Sequence, residues 1–251
     1  MKTTMTMNQP SGSRRWKLLT GILAAGLIVG GLTSCSTTKR VSMSEKDFSG
    51  FLGDYSLLQK GTDDEANYLY IDKNAPWKTY TKVCILPVEL WKSEDPQSPF
   101  GKMSKENQQI LVNLYHTAMA NEIHKSLEIV AQPGPNTLVV HTAVTEARKC
   151  KPVLNLISSV VPQAFVISLG KQLITGTGTG VGAVRIEMYC TDGVTGQRVA
   201  EAVDARAGTK AWRTKFDGTW GDVKLAFDFW AERFTKRLEL MKEGDFSTKD
   251  L

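Results

Sequence analysis

Only three histidines and four cysteines stand in this 251-residue chain, and that scarcity excludes much chemistry. His116, His124 and His141 form no HExxH motif. His116 and His124 are more than two helical turns apart, so no helix-borne metal pair is expected. No two cysteines have CxxC or zinc-ligand spacing, which removes zinc ribbons and thioredoxin-like redox pairs. Ser158-Ser159 lies in no GxSxG elbow, so a serine hydrolase is unsupported. The glycine run of residues 176–182 lacks a following Lys-Ser/Thr and leads into a strand, the wrong order for a phosphate cradle. No nucleophile, acid/base pair or metal set emerges, and no metal or cofactor is expected. An enzyme is the least supported class and a non-enzymatic binding domain the leading one.

Negative charge is missing from the start of the chain. The first 34 residues hold no aspartate or glutamate, only Lys2, Arg14, Arg15 and Lys17. Setting those four aside leaves 27 cations against 26 anions, so the formal charge of +5 belongs to a targeting segment and implies no nucleic-acid partner. An apolar run of spanning length is missing too: Leu18 to Leu32 is fifteen residues, short for a transmembrane helix. A charged start, an apolar middle and a small-residue close make a secretory signal. Its last residues, Leu32-Thr33-Ser34-Cys35, resemble the lipobox of bacterial lipoproteins. That resemblance implies a diacylglycerol on the Cys35 sulfur and an acylated Cys35 as the mature first residue, with the membrane as partner through this anchor. Ser36, where an aspartate would retain the protein, implies the periplasmic face of the outer membrane of a Gram-negative bacterium.

The pattern after Cys35 divides into a Ser/Thr/Lys/Asp-rich lipid-anchored tether (35–66), one α/β domain (67–244) with an insertion at 152–182, and a short tail (245–251). Ser104 to Val130 reads as a helix capped by Ser104, with Leu111, Leu114, Tyr115, Ala118, Met119, Ile123 and Leu127 on one stripe. Pro133-Gly134-Pro135 ends it. Asn136–Ala147 and Val181–Cys190 alternate as strands, and Asp192–Gly196 is a tight turn into a further strand, Gln197–Ala207. Gly221–Met241 is a second helix with Val223, Phe227, Trp230, Phe234 and Leu238 along one side. The fold class is a two-layer α/β domain: a mixed four-stranded sheet, two long amphipathic helices and an apolar helical insertion.

That insertion carries no charge from Pro152 to Gly170 and is broken by Pro162. Residues 152–175 either cover the second face of the sheet or form a working surface for membrane or partner, with Val161, Phe165 and Ile167 as its apolar contacts. Trp212 and Trp220 flank a loop and extend the candidate interaction surface, although ordinary loop anchoring explains them as well. Arg185, Glu187, Asp204 and Arg206 read as a polar cluster on the outer face of adjacent strands, for which cross-strand ion pairs suffice. Cys84 and Cys190 read as small buried residues. If a bridge exists it joins those two, because a first strand, Lys82–Trp91, parallel to the second, Asn136–Ala147, brings them to one end of the sheet and leaves Cys150 at the other.

Several segments together are similar to the domain-of-unknown-function 3313 family of bacterial lipoproteins, over about residues 45–240. They are Trp77-Lys78-Thr79-Tyr80 with Val83, Pro87-Val88-Glu89-Leu90-Trp91, Gly134-Pro135, Val181-Gly182 before Glu187, Asp192 with Thr195-Gly196, Val203-Asp204-Ala205-Arg206, and Ala226-Phe227-Asp228-Phe229-Trp230-Ala231. The resemblance implies the envelope address and the fold and adds no mechanism. The expectation is an outer-membrane-anchored lipoprotein whose periplasmic domain binds an unidentified envelope protein or cell-wall component. The alternative is a membrane-active assembly or secretion accessory that uses residues 152–175.

Overall fold

The structure, a computed structural model, describes residues 38–63, 65–149, 182–208 and 219–246. Cys35, Val161, Phe165, Ile167, Trp212 and, but for Gly182, the expected insertion lie outside the described residues. In chain order the strands are β1 (Thr38–Arg40), β2 (Gln59–Lys60), β3 (Tyr68–Ile71), β4 (Lys82–Ile85), β5 (Glu89–Leu90), β6 (Glu128–Ile129), β7 (Thr137–Arg148), β8 (Ala183–Asp192) and β9 (Arg198–Gly208). The helices are α1 (Lys105–Ile123) and α2 (Gly221–Glu243).

Among the described residues these nine strands form one mixed sheet in the order β2-β3-β9-β8-β7-β4-β6. Its centre is the antiparallel meander β7-β8-β9, whose period-2 alternation the sequence displays. β4 runs parallel to β7, as a strand-helix-strand crossover through α1 requires. The sheet is larger than the expected four strands because both outer edges of the meander are shared. β1 and β3 pair with successive stretches of β9, while β4 and β5 pair with successive stretches of β7. Strands of two to four residues carry too little alternation to be read locally; their partners create them.

The two helices lie together on one face. Leu111, Tyr115, Met119 and Ile123 of α1 and Val223, Phe227, Ala231 and Leu238 of α2 are buried against Val83, Leu138, Val140, Val144, Val184 and Ile186. Tyr115 Oη and Thr142 Oγ1 share a hydrogen bond of 2.6 Å inside that layer, so burial there leaves neither hydroxyl unmet. Ser104 caps α1 as expected, its Oγ accepting from Asn107 N. The helix stops at Ile123, seven residues short of the expected end, because residues 128–130 are drawn into β6 beside β4. At the far end of α2, Gly244 takes the left-handed conformation (φ 88°) that closes the helix, a conformation glycine adopts without strain.

The expected tether is the largest departure. The chain enters the sheet at Thr38, and residues 41–58 cover the second sheet face. Met43 and Leu52 are buried there against Val203 and Ala205, with Phe48 and Tyr55 stacked at 4.4 Å. An island of apolar residues within a polar stretch is enough to close a face when a sheet awaits it.

Candidate functional site

The register splits the expected polar cluster across the sheet. Ile186 pairs with Asp204 and Val184 with Arg206, so those two carry their side chains to the helix face. Glu187 pairs with Val203 and Arg185 with Ala205, which places them on the opposite face. Each half has its own task.

On the second face Glu187 is fully buried, yet it has partners. Ser49 N donates to Oε1 and Tyr55 Oη donates to Oε2, both at 2.6 Å. Burial, followed by the bond to Glu187, pushes the Tyr55 phenol up to about 12. Arg185 lies 3.4 Å from Glu146 and 3.6 Å from Asp47. Ser49 also gives its carbonyl to Trp91 Nε1 at 3.0 Å. Residues 47–55 are thereby bolted in place by Trp91 and by Glu187 and Arg185, the last two more than 130 positions away.

On the helix face Asp204 and Arg206 hold the beginning of the domain. Asp204 Oδ1 accepts from Asn67 N at 3.1 Å and Nδ2 at 2.8 Å, and Oδ2 accepts from Trp230 Nε1 at 2.7 Å. Desolvation dominates over these donors and raises the Asp204 carboxyl above its ordinary range. Arg206 donates from Nε to Thr38 Oγ1 at 3.0 Å and from Nη2 to Thr38 O at 3.1 Å, and its guanidinium lies 3.5 Å from the centre of the Phe229 ring. Burial brings its pKa down to about 10. Arg40 extends the clamp, donating to Asn67 Oδ1 at 3.0 Å. Asp204 and Arg206 of β9 and Phe229 and Trp230 of α2 thus meet across the β9–α2 interface, where Arg206 fastens Thr38.

Next to this clamp an apolar cavity of about 150 Å³ opens between α2 and strands β3, β9 and β8. Leu69, Ile71, Met188, Ala202, Phe234 and Met241 line it, with Asp204 and Arg233 at its edge. Arg237 bonds to Glu65 at 2.6 Å across the gap from α2 to the loop before β3. Trp230 and Phe234, expected on a core stripe, are half-buried and serve as wall instead.

The other singled-out residues take structural places. Trp220 is buried, donates from Nε1 to Asn107 Oδ1 at 3.2 Å and has the Lys149 ammonium 5.3 Å from its ring, so it anchors the start of α2 on α1. His116 Nε2 accepts from Val88 N at 3.2 Å, and His141 stacks on Tyr189 at 4.2 Å. Among the described residues no three His, Cys, Asp or Glu side chains gather as metal ligands. Tyr80 donates to Asp192 Oδ2 at 3.1 Å, and Asp192 Oδ1 accepts from Val194 N and Thr195 N. Gly193 passes so close to Gly134 that an added Cβ would lie 2.6 Å from that carbonyl oxygen. Three segments distant in sequence, around Tyr80, Gly134 and Asp192, therefore build one knot at this end of the sheet.

Cys84 and Cys190 are both buried and free, which corrects the expected bridge. They do lie at one level of the sheet, Cys84 beside Val139 and Cys190 beside Val140. β7 separates them, however, by two ladder spacings or about 10 Å, beyond the roughly 7 Å limit between bridged Cα atoms. Adjacent residues of β7 also point to opposite faces, so the two thiols do as well.

A family model described as "Protein of unknown function (DUF3313)" matches residues 47–234. No protein of curated function matches the chain in sequence. Among solved structures, the PelC dodecamer from Paraburkholderia phytofirmans is 12% identical, with 61% of this chain and 87% of that one covered at a TM-score of 0.33. The hypothetical protein CT253 from Chlamydia trachomatis is 13% identical, with 64% and 96% covered at 0.36. A minor lipoprotein from Acinetobacter baumannii is 10% identical, with 63% and 92% covered at 0.26.

Proposed function

The chain belongs to the DUF3313 family, and from that premise we propose that it is a lipid-anchored protein of the bacterial envelope whose domain binds another envelope component without catalysing a reaction. The observation that carries the reading is Leu32-Thr33-Ser34-Cys35 at the close of a charged and then apolar leader. Diacylglyceryl transfer requires a thiol nucleophile beside small residues, and two or three acyl chains exceed what stable anchoring needs. Ser36 favours the periplasmic face of the outer membrane. The cleft under α2 supplies the place of binding. Its apolar walls suit one large apolar group, since a cavity of about this size admits a molecule like benzene. The charged groups at its edge would orient whatever polar part follows.

Fatty-acid labelling of cells tests the anchor: Cys35→Ser should abolish labelling and leave an unprocessed precursor, and a labelled variant overturns it. Density-gradient fractionation then reads which membrane holds the protein. For the binding site, a photocrosslinking amino acid at Leu69 or Phe234 should capture an envelope component in intact cells, and Ala202→Trp, which fills the cleft, should remove that adduct. No adduct at either position overturns binding at the cleft.

A further inference from the structure

Cys35, the residue read as lipidated, is three positions from Thr38, and Thr38 is already buried, paired with Gly208 and held by Arg206. Three residues of extended chain reach about 10 Å. A lipid on Cys35 therefore leaves the domain no freedom to stand away from the bilayer, and it also selects which end faces the bilayer. The strand registers identify that end. Gly208 follows Ala207, which pairs with Ala183, and Ala183 pairs with Arg148. Trp220, at the start of α2, bonds to Asn107 in the first turn of α1. One end of the domain thus gathers the start of β1, the end of β7, the start of β8, the end of β9 and the beginnings of both helices. The turn Asp192–Gly196 lies at the other end, one length of β8 away, about 30 Å.

From this geometry we infer that the end bearing Lys39, Lys105 and Lys149 is a membrane-docking surface, held against the headgroup layer of an anionic bilayer with the central strands standing off it. The inference rests on the lipidation reading of Cys35 and goes beyond it by assigning an orientation and a contact surface. Charge agrees with the assignment. Lys39, Lys102, Lys105 and Lys149 are exposed at this end. Lys92, Glu94, Asp95 and Glu106 are exposed beside them, which leaves five exposed lysines against three exposed carboxylates in these segments, whereas Glu146 is engaged by Arg148 and Arg185, and Asp222 is buried with its Oδ2 accepting from Gly182 N at 2.6 Å. Cations in excess at a surface held within a Debye length of anionic headgroups are attracted to them.

The test uses the full-length acylated protein, with Cys150→Ser, in vesicles of phosphatidylethanolamine and phosphatidylglycerol (3:1) that carry a headgroup nitroxide lipid. Single cysteines at Lys39, Lys149 and Val194, the last exposed in the distal turn, receive a fluorophore; Cys84 and Cys190 are buried. Quenching at Lys39 and Lys149 should exceed that at Val194 several-fold. Quenching at Val194 equal to or above either of the other two overturns the orientation. The mass of the same preparation separates the two failures. A missing diacylglyceryl adduct on Cys35 defeats the anchor, whereas an adduct with undiscriminating quenching defeats only the docking surface.

Discussion

Arg206→Lys keeps a cation where the domain meets its N-terminal strand and removes only the shape of the guanidinium. Arg206 is 8% exposed and makes two hydrogen bonds to Thr38, one to the side chain and one to the backbone carbonyl. A lysine ammonium on its flexible stem is able to recover one of them and has no planar fork for the second. Each bond to a charged group contributes about 1.5–3 kcal/mol. Stacking on Phe229 at 3.5 Å adds up to about 2 kcal/mol in a desolvated place. With one bond recovered, the substitution should cost about 2–4 kcal/mol. Because β1 is three residues long and lies at the edge of β9, most of the cost should appear as local opening. Hydrogen exchange of the purified protein in detergent is the assay. The amides of Arg40 and Val41, the latter donating to Ala205 O at 2.8 Å, should exchange about 30-fold faster or more, since 1.4 kcal/mol is a factor of ten, while amides in the middle of β8 change far less. Unchanged protection at Arg40 and Val41 together with an unchanged denaturant midpoint would refute the clamp.

Tyr55→Phe deletes the phenol that donates to Glu187 Oε2 and leaves Ser49 N donating to Oε1 of that buried side chain; the loss should be about 2 kcal/mol, read as a lower melting temperature, and an equal melting temperature would show that residues 47–55 are held by apolar packing alone. The two buried cysteines should not react with maleimide at pH 8 in the folded protein, since burial pushes the Cys190 thiol up to about 12, and both should react fully in denaturant without prior reduction; a requirement for reductant would contradict the free thiols. Stability should fall on acidification in two stages. Burial lowers the pKa of His116 and His141, so each stabilises the neutral fold above the ordinary histidine range near 6.5 and that contribution is lost as pH falls below it. Asp192, lowered chiefly by the Thr195 N–H, loses its contribution only as pH falls below about 4. Urea midpoints of His116→Gln, which still accepts from Val88 N without titrating, should fall less between pH 7 and 5.5 than those of the parent; an identical slope would refute the assignment.

What the sequence alone determined is whatever depends on neighbours a few residues apart. The alternation of β7, β8 and β9, the apolar stripe of α2, the Ser104 cap and the Asp192–Gly196 turn all repeat with the period of their own backbone, so each is readable in place. The division of Val184, Ile186, Met188 and Cys190 from Arg185, Glu187 and Tyr189 follows from the same rule. Only the tertiary structure decided which polar residues act together, because that depends on register between strands: one position separates Glu187 from Ile186, and it assigns their partners Val203 and Asp204 to opposite faces. It also decided that residues 38–60 join the domain. β1 and β2 have no pattern of their own, and their hydrogen bonds and the apolar surface that residues 41–58 cover are supplied by β3, β8 and β9. The thiols show the same limit, since one intervening strand turns two cysteines at a common level into residues that cannot meet. Pairing between distant segments is a property of the assembled sheet, and local composition carries no record of it.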